Sequence, residues 1–299
     1  MELKDLQLAL VIAREGSLAA AAQRSGVSQP TLSKAIARLE RQLKVQIFER
    51  MARGMRPTEI GRAFLESAAT IDLASTDLLA KLRDLRQARA GVLRFGFGQG
   101  VPDRWLLPVI ARLAREGVAL DLNGGMPDSL QPRVAVGDLE FALVGYSGVP
   151  GGNLEFEPLK ADPTLPVAPV AHSLAQRRAP PSWEELAQAR WIVPPLGTST
   201  RADFDRNFVD RGFVVQPMVV SSSTQREAAL ALELDALMLL PKSKIESALV
   251  RANFTQVSPV GGWRSPRRIG LIYRKGGYLS PSAQQAMKLL RRSVGRPAP

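Results

Sequence analysis

The sequence predicts an α+β multidomain chain: an N-terminal winged helix-turn-helix, a long single helix, and a C-terminal α/β region. Three observations carry this. A short alanine-rich helix, a glycine turn and a basic amphipathic helix follow one another between Ser17 and Leu43. From Glu59 to Arg89 there is no proline, and apolar residues recur every seven positions. After Gly91 short apolar runs alternate with helical patterns, the signature of an open α/β sheet.

Residues 4–15 form a first amphipathic helix, with Leu6, Ala9, Leu10 and Ala13 on one face. Ser17 to Gln23 is the alanine-rich helix, small enough in its side chains to allow close approach. In the turn Arg24–Ser28, Gly26 stands where the backbone needs a positive φ. In the next helix Leu32, Ala35, Ile36, Leu39 and Leu43 recur at the spacing of a buried face, with Lys34, Ala37, Arg38 and Arg41 opposite. Ser28 caps its start, and Pro30 is tolerated in the first turn because its missing N–H has no intrahelical partner there. This is the helix-turn-helix arrangement, in which the second helix enters the DNA major groove and the first crosses the backbone. Gln29 and Ser33 are the candidates for base-edge contact, with Lys34 and Arg38 shared between bases and phosphates. Ser28, Pro30 and Thr31 belong to the same candidate surface.

Gly54 lies in the run Ile47–Thr58 and predicts a hairpin between two short strands. Arg50, Arg53 and Arg56 on that hairpin read as a wing that grips phosphates or enters the minor groove; the alternative is a solvated charged loop. The net charge is +12. Residues 17–56 hold eight Lys/Arg against Glu40 and Glu49, so the excess is concentrated where a polyanion would bind.

Thr58 is an N-cap for the long helix. Phe64, Ile71, Leu78 and Leu85 repeat at seven residues, with Ser75 and Leu82 between them, as in a coiled-coil seam. A helix of about thirty residues is roughly 45 Å long, more than a small winged domain can cover. Dimerisation through this helix follows, the alternative being an internal helix packed on the downstream region. A dimer presents two recognition helices to a near-palindromic site.

Beyond Gly91 the expected order is strand Val92–Phe97, a helix over 102–115 interrupted by Pro108, strand Val118–Leu122, a helix near 127–136, and strand Glu140–Val144. A second run begins near Leu165, with strands Trp191–Val193, Val214–Val220, Ala236–Leu240 and Arg268–Tyr273. Ser182–Glu185 and Thr224–Glu227 read as capping boxes. A last helix follows Pro281 and ends near Arg292.

Composition excludes several classes. There is no cysteine, so disulfides, thiolate metal sites and cysteine nucleophiles are absent. The single histidine, His172, makes a metal site or a histidine-based catalytic centre improbable. Gly96-Phe97-Gly98-Gln99-Gly100 lacks the P-loop lysine and the full dinucleotide pattern. No catalytic residue, metal or cofactor is therefore expected. No secretory signal is visible at the N-terminus, and no apolar run reaches membrane-span length, so the expected location is the cytoplasm and no membrane partner is expected.

The stretches Glu15-Gly16-Ser17-Leu18-Ala19-Ala20-Ala21-Ala22, Val27-Ser28-Gln29-Pro30-Thr31-Leu32-Ser33, Ile36-Ala37-Arg38-Leu39-Glu40, Ile47-Phe48-Glu49-Arg50 and Pro57-Thr58-Glu59-Ile60-Gly61 together resemble the LysR-type transcriptional regulators. The family pattern has Leu-Gly near 43–44 and Leu-Thr near 57–58, where this chain has Leu43-Lys44 and Pro57-Thr58. The resemblance implies a C-terminal domain similar to periplasmic binding proteins: two α/β subdomains joined by two crossing strands, with a small organic effector between them. It implies a homotetramer assembled as a dimer of dimers on double-stranded promoter DNA, which it bends, and RNA polymerase as a partner if the effect is activation. Mapped onto this chain, it places a DNA-binding domain at 1–58, a linker helix at 59–90 and an effector domain at 91–299. Subdomain I is then 91–163 with 266–299, and subdomain II is 164–265, with crossings at Pro163–Pro166 and Pro259–Pro266.

Ligands of open sheets bind at strand ends. That nominates Gln99, Gly100 and Val101 after the first strand, Thr198, Ser199, Thr200 and Arg201 before one helix, Ser223 and Thr224 before another, and Tyr146 with Ser147 near the mouth. Free N–H groups, hydroxyls and Arg201 suit an anionic effector, although Ser, Thr and Gly also precede helices simply as caps. The rival functions are an enzyme and a ligand-independent architectural DNA-binding protein.

Overall fold

A computed structural model describes residues 1–51, 54–86, 92–222 and 224–295. The chain divides into two compact units, Met1–Arg86 and Gln87–Pro299.

The first unit contains α1 (Leu3–Glu15), α2 (Leu18–Ser25), α3 (Gln29–Leu43), the antiparallel pair β1 (Phe48–Met51) and β2 (Gly54–Pro57), and α4 (Glu59–Arg86). Ser17 Oγ accepts the Ala20 N–H at 3.2 Å and Ser28 Oγ accepts the Thr31 N–H at 3.4 Å, so both helices of the pair start on a hydroxyl cap. Gly26 ends α2 at φ 66°, as its position requires. The core joins Leu6, Ala9 and Ile12 of α1 to Leu32, Ile36 and Leu39 of α3, with Ile47 and Phe48 below. Leu43, expected in this core, is 37 % exposed: α3 ends at that residue and the chain turns away through Lys44, a non-glycine in the left-handed region at φ 55°. Glu40 fastens the turn, its Oε1 accepting the N–H groups of Ile47 and Phe48 at 2.8 and 3.1 Å.

Gly54 sits where a side chain cannot. At φ 102° a Cβ would lie 2.3 Å from the Gly16 carbonyl oxygen, which accepts the Met55 N–H at 2.7 Å. The hairpin is thereby stitched to the α1–α2 turn.

Thr58 Oγ1 accepts the Gly61 N–H at 2.8 Å, the expected cap of α4. The 28 residues of α4 span about 42 Å. Its first turns join the core through Phe64, Leu65 and Ala68, and Asp72 accepts a 2.8 Å hydrogen bond from Gln7. Further on, Ile71, Leu78, Leu79 and Leu82 are 46–60 % exposed. No helix among the described residues is long and apolar enough to cross a membrane.

The second unit contains two five-stranded sheets. The first is built from β3 (Leu93–Gly98), α5 (Asp103–Arg115), β4 (Leu120–Gly125), α6 (Pro127–Ala135), β5 (Phe141–Tyr146) and β6 (Leu154–Ala161). The chain then enters the second sheet with β7 (Thr164–Pro169), α7 (Trp183–Gln188), β8 (Trp191–Val193), α8 (Ser199–Val209), β9 (Val219–Val220), α9 (Thr224–Leu234), β10 (Leu237–Pro241), α10 (Lys242–Ile245), α11 (Ala248–Asn253) and β11 (Phe254–Gln256). It returns with β12 (Arg268–Arg274) and α12 (Pro281–Gly295). The strand orders are β4-β3-β5-β12-β6 and β11-β7-β10-β8-β9.

In the first lobe Phe95 stacks on Phe141 at 5.0 Å under α5 and α12. In the second, Trp191 meets Phe204 edge-on at 5.0 Å. Three sequence expectations are corrected. Pro108 does not interrupt α5, because Trp105, Leu106, Val109 and Leu113 are buried along it and outweigh one missing hydrogen bond. The strand expected over Val214–Val220 shortens to Val219–Val220; Pro217 brings no N–H to a ladder and Val214 is 85 % exposed. The first crossing is complete by Pro163, since Thr164 already lies in β7.

Candidate nucleic-acid interface and ligand cleft

In the first unit, the N-terminal turns of α3, the start of α2 and the hairpin surround a concave face of about 510 Å³. Gln29, Pro30, Ser33 and Arg50 line it, together with Ser17, Leu18 and Ala19 at the start of α2, which sequence reasoning did not single out. Ser28, Thr31 and Lys34 are exposed beside it. The Ser28 and Thr31 hydroxyls hydrogen-bond each other at 2.8 Å. Arg56 is exposed on β2, across from Glu49. Arg53 lies outside the described residues.

Arg38 is placed differently from expectation. Its guanidinium ion-pairs with Asp5 of α1, a carboxylate 2 % exposed, and that hydrogen bond and charge raise the arginine's pKa. Arg38 therefore fastens α3 to α1 while half its surface faces solvent.

In the second unit the effector candidates fall into two neighbouring cavities. The smaller, about 70 Å³, is lined by Gln99, Gly100 and Thr200 with Gly98, Thr164, Ser222, Glu227 and Arg267. The larger, about 270 Å³, is lined by Tyr146, Thr198, Ser199 and Arg201 with Asp128 and Asp205. Both therefore draw on residues of both lobes. Val101 belongs to neither: it is 3 % exposed in the core under α5. Ser147 has a buried hydroxyl without a hydrogen-bond partner. Ser223 lies outside the described residues; Thr224 opens α9, and its side chain is likewise not described.

The start of α8 is already engaged. Thr198 Oγ1 accepts the Arg201 N–H at 3.3 Å and donates to the Pro195 carbonyl at 2.8 Å. Asp128 of α6, from the other lobe, lies beside the Ser199 backbone in the larger cavity. Burial raises the Asp128 pKa, and its Oδ2 is buried with no partner. Arg201, expected to face a ligand anion, turns its Nε to Asp205 at 2.8 and 3.0 Å, one helical turn along α8.

The groups that sequence reasoning missed are the buried ones. Arg267 Nη1 donates to the Asp162 carbonyl at 2.8 Å and pairs with its carboxylate; Ser243 gives that carboxylate its N–H at 2.8 Å and its hydroxyl at 2.9 Å. Burial pulls the Arg267 pKa down while Asp162 opposes it. Glu227, read as a capping-box acid, is 8 % exposed; burial pushes its carboxyl up to about 7 against the opposing hydrogen bond from Ser221.

Two family models match. Residues 3–62 match the one described as bacterial regulatory helix-turn-helix protein, lysR family, and residues 86–295 match the LysR substrate binding domain. The chain is 26 % identical over 295 residues to the HTH-type transcriptional regulator GbpR of Azospirillum brasilense, covering 97 % of this chain and 86 % of that one. It is 26 % identical over 291 residues to the RuBisCO operon transcriptional regulator of Allochromatium vinosum, covering 95 % and 93 %. Among solved structures it resembles HinK of Pseudomonas aeruginosa, a LysR family transcriptional regulator, with TM-score 0.57, 20 % identity and 98 % of each chain covered. It also resembles full-length CbnR in complex with its target DNA, with TM-score 0.57, 22 % identity, and 98 % and 100 % covered. One family model covers most of the chain and a second covers its helix-turn-helix, so this protein belongs to the LysR family: it is a DNA-binding transcriptional regulator with a substrate-binding domain.

Proposed function

We propose that the concave face of the first unit reads promoter DNA through Gln29 and Ser33, with Lys34, Arg38 and the hairpin arginines on the phosphates. The observation that carries this is the convergence of Gln29 and Ser33, from the first turns of α3, with Arg50 of the hairpin on one face. The exposed seam Ile71, Leu78 and Leu82 supports dimerisation through α4, and a dimer of dimers is the assembly in this reading. Genome-wide footprinting of the full chain in the cell tests it. Discrete, near-palindromic sites close to promoters are expected; uniform coverage identifies an architectural protein instead.

A small organic effector, in this proposal, binds between the lobes of the second unit and alters the assembly on DNA. The pair of cavities bounded by both lobes supports it. The expected anionic effector loses one of its anchors, because Arg201 is paired with Asp205. The protein acts in the cytoplasm as a regulator without catalysis. Ligand-induced shifts in thermal midpoint of the full chain, in wild type and in a Thr200/Arg201 double alanine variant, test whether these residues belong to the site. Equal stabilisation of both proteins removes Thr200 and Arg201 from the site.

A further inference from the structure

Two ionisable side chains line the 70 Å³ cavity, Arg267 at 5 % and Glu227 at 8 % exposure. They differ in how their charge is met. Arg267 has a full counter-charge in Asp162. Glu227 has only the Ser221 hydroxyl, and no cation is paired with it among the described residues. The strands that α9 packs against, β7 (Thr-Leu-Pro-Val-Ala-Pro) and β10 (Leu-Met-Leu-Leu-Pro), carry no charge at all. On and beside α9, Arg226, Glu233 and Lys242 are exposed to solvent, and Asp103, Arg104 and Lys244 line a separate cavity with Ala228 and Leu232 of α9. The rest of the lining is neutral, with Gln99, Thr164, Thr200 and Ser222 as hydrogen-bonding groups.

Resting on the reading that this cleft holds the effector, we propose that the ligand presents a protonated amine to Glu227, so that the cavity is built for a small ammonium-bearing molecule and not for a simple anion. A buried carboxylate without a cation is disfavoured in its charged form, and burial holds this one up at about 7. An ammonium group supplies the missing charge, ionises Glu227 and releases its proton. Affinity for a permanently charged amine must then rise with pH, about tenfold between about pH 6 and about pH 8.

The test is calorimetry on the full chain with three size-matched probe series headed by ethanolamine, glycolate and ethylene glycol. Amine binding is expected, with proton release measured in two buffers of different ionisation enthalpy and affinity rising with pH. In Glu227→Gln, checked for an intact thermal midpoint, amine affinity is expected to fall tenfold or more and lose its pH dependence. Binding of carboxylates in place of amines overturns the inference, as does amine binding that releases no proton or is unchanged by Glu227→Gln. No binding in any series overturns the cleft reading itself.

Discussion

Arg267 and Asp162 lock together the two strands on which the lobes of the second unit are hung. The Asp162 N–H donates to the Arg267 carbonyl at 3.1 Å, and the guanidinium donates back to the Asp162 carbonyl at 2.8 Å. Asp162→Asn therefore strands a buried guanidinium without a counter-charge, at an expected cost of about 3–5 kcal/mol in urea unfolding. Combining it with Arg267→Met should restore most of that loss. A single-variant cost below about 1 kcal/mol would mean that the pair carries no structural weight.

Arg38 and Lys34 should separate two roles. Arg38→Ala is expected to lower both the thermal midpoint and DNA affinity, because the buried Asp5 loses its partner. Lys34→Ala should leave the midpoint unchanged, weaken binding to all sequences and reduce the salt slope by about 1. Equal midpoints for the two variants would show that the Asp5 contact does not hold α3 to α1.

Lys44 occupies the left-handed position, φ 55° and ψ 35°, where the family pattern has glycine. Lys44→Gly should stabilise the protein, by about 1 kcal/mol at most after glycine's extra unfolded-state entropy is subtracted. Chemical denaturation measures it, and a loss of stability would show that the lysine's side-chain contacts outweigh the strain.

The exposed seam of α4 should fail when charged. In the proposed α4-mediated dimer, Leu78→Glu with Leu82→Glu is expected to leave only monomer in sedimentation velocity, without loss of helix content, and to abolish tight binding to paired half-sites. A variant that sediments as the wild type does would place the dimer contact elsewhere.

Glu227 gives stability a pH signature. Its carboxyl is raised from 4.5 to about 7, so the native state keeps a proton that the unfolded chain releases. The associated stability is complete below about pH 4.5 and is lost as pH rises to about 7. The thermal midpoint of Glu227→Gln should therefore gain on wild type across that window and hold a constant lead above it. A lead that does not change with pH would mean that the group titrates normally.

What sequence reasoning reached was local. The caps at Ser28 and Thr58, the glycine turn at Gly26 and the buried face of α3 all depend on residues within one or two helical turns. Strand β8 was placed to the residue, since Trp191–Val193 is a short apolar run. β6 was missed although Leu154-Glu155-Phe156-Glu157 alternates as a half-buried strand does, Pro158 cutting the pattern short, and β11 because three residues carry no period. The cavity was less legible. Asp162 and Arg267 meet across more than a hundred positions, and their only signal was a charged residue set against a proline at each crossing, Pro163 and Pro266. Arg201 was misread although its partner Asp205, four residues on, was visible; an i, i+4 pair was the simpler interpretation.

The strand order has a consequence for the ribosome. β12 lies between β5 and β6, yet all of β7 to β11 is synthesised before it. The second lobe can close as soon as its continuous stretch has emerged. The first lobe must wait with β6 unpaired along the edge meant for β12, and α12, which covers Phe95 and Phe141 with Leu290 and Met287, arrives last of all. A nascent chain stalled before Arg268 thus holds one finished lobe and one open sheet. The earliest-made half of the ligand cleft is the last to become a surface.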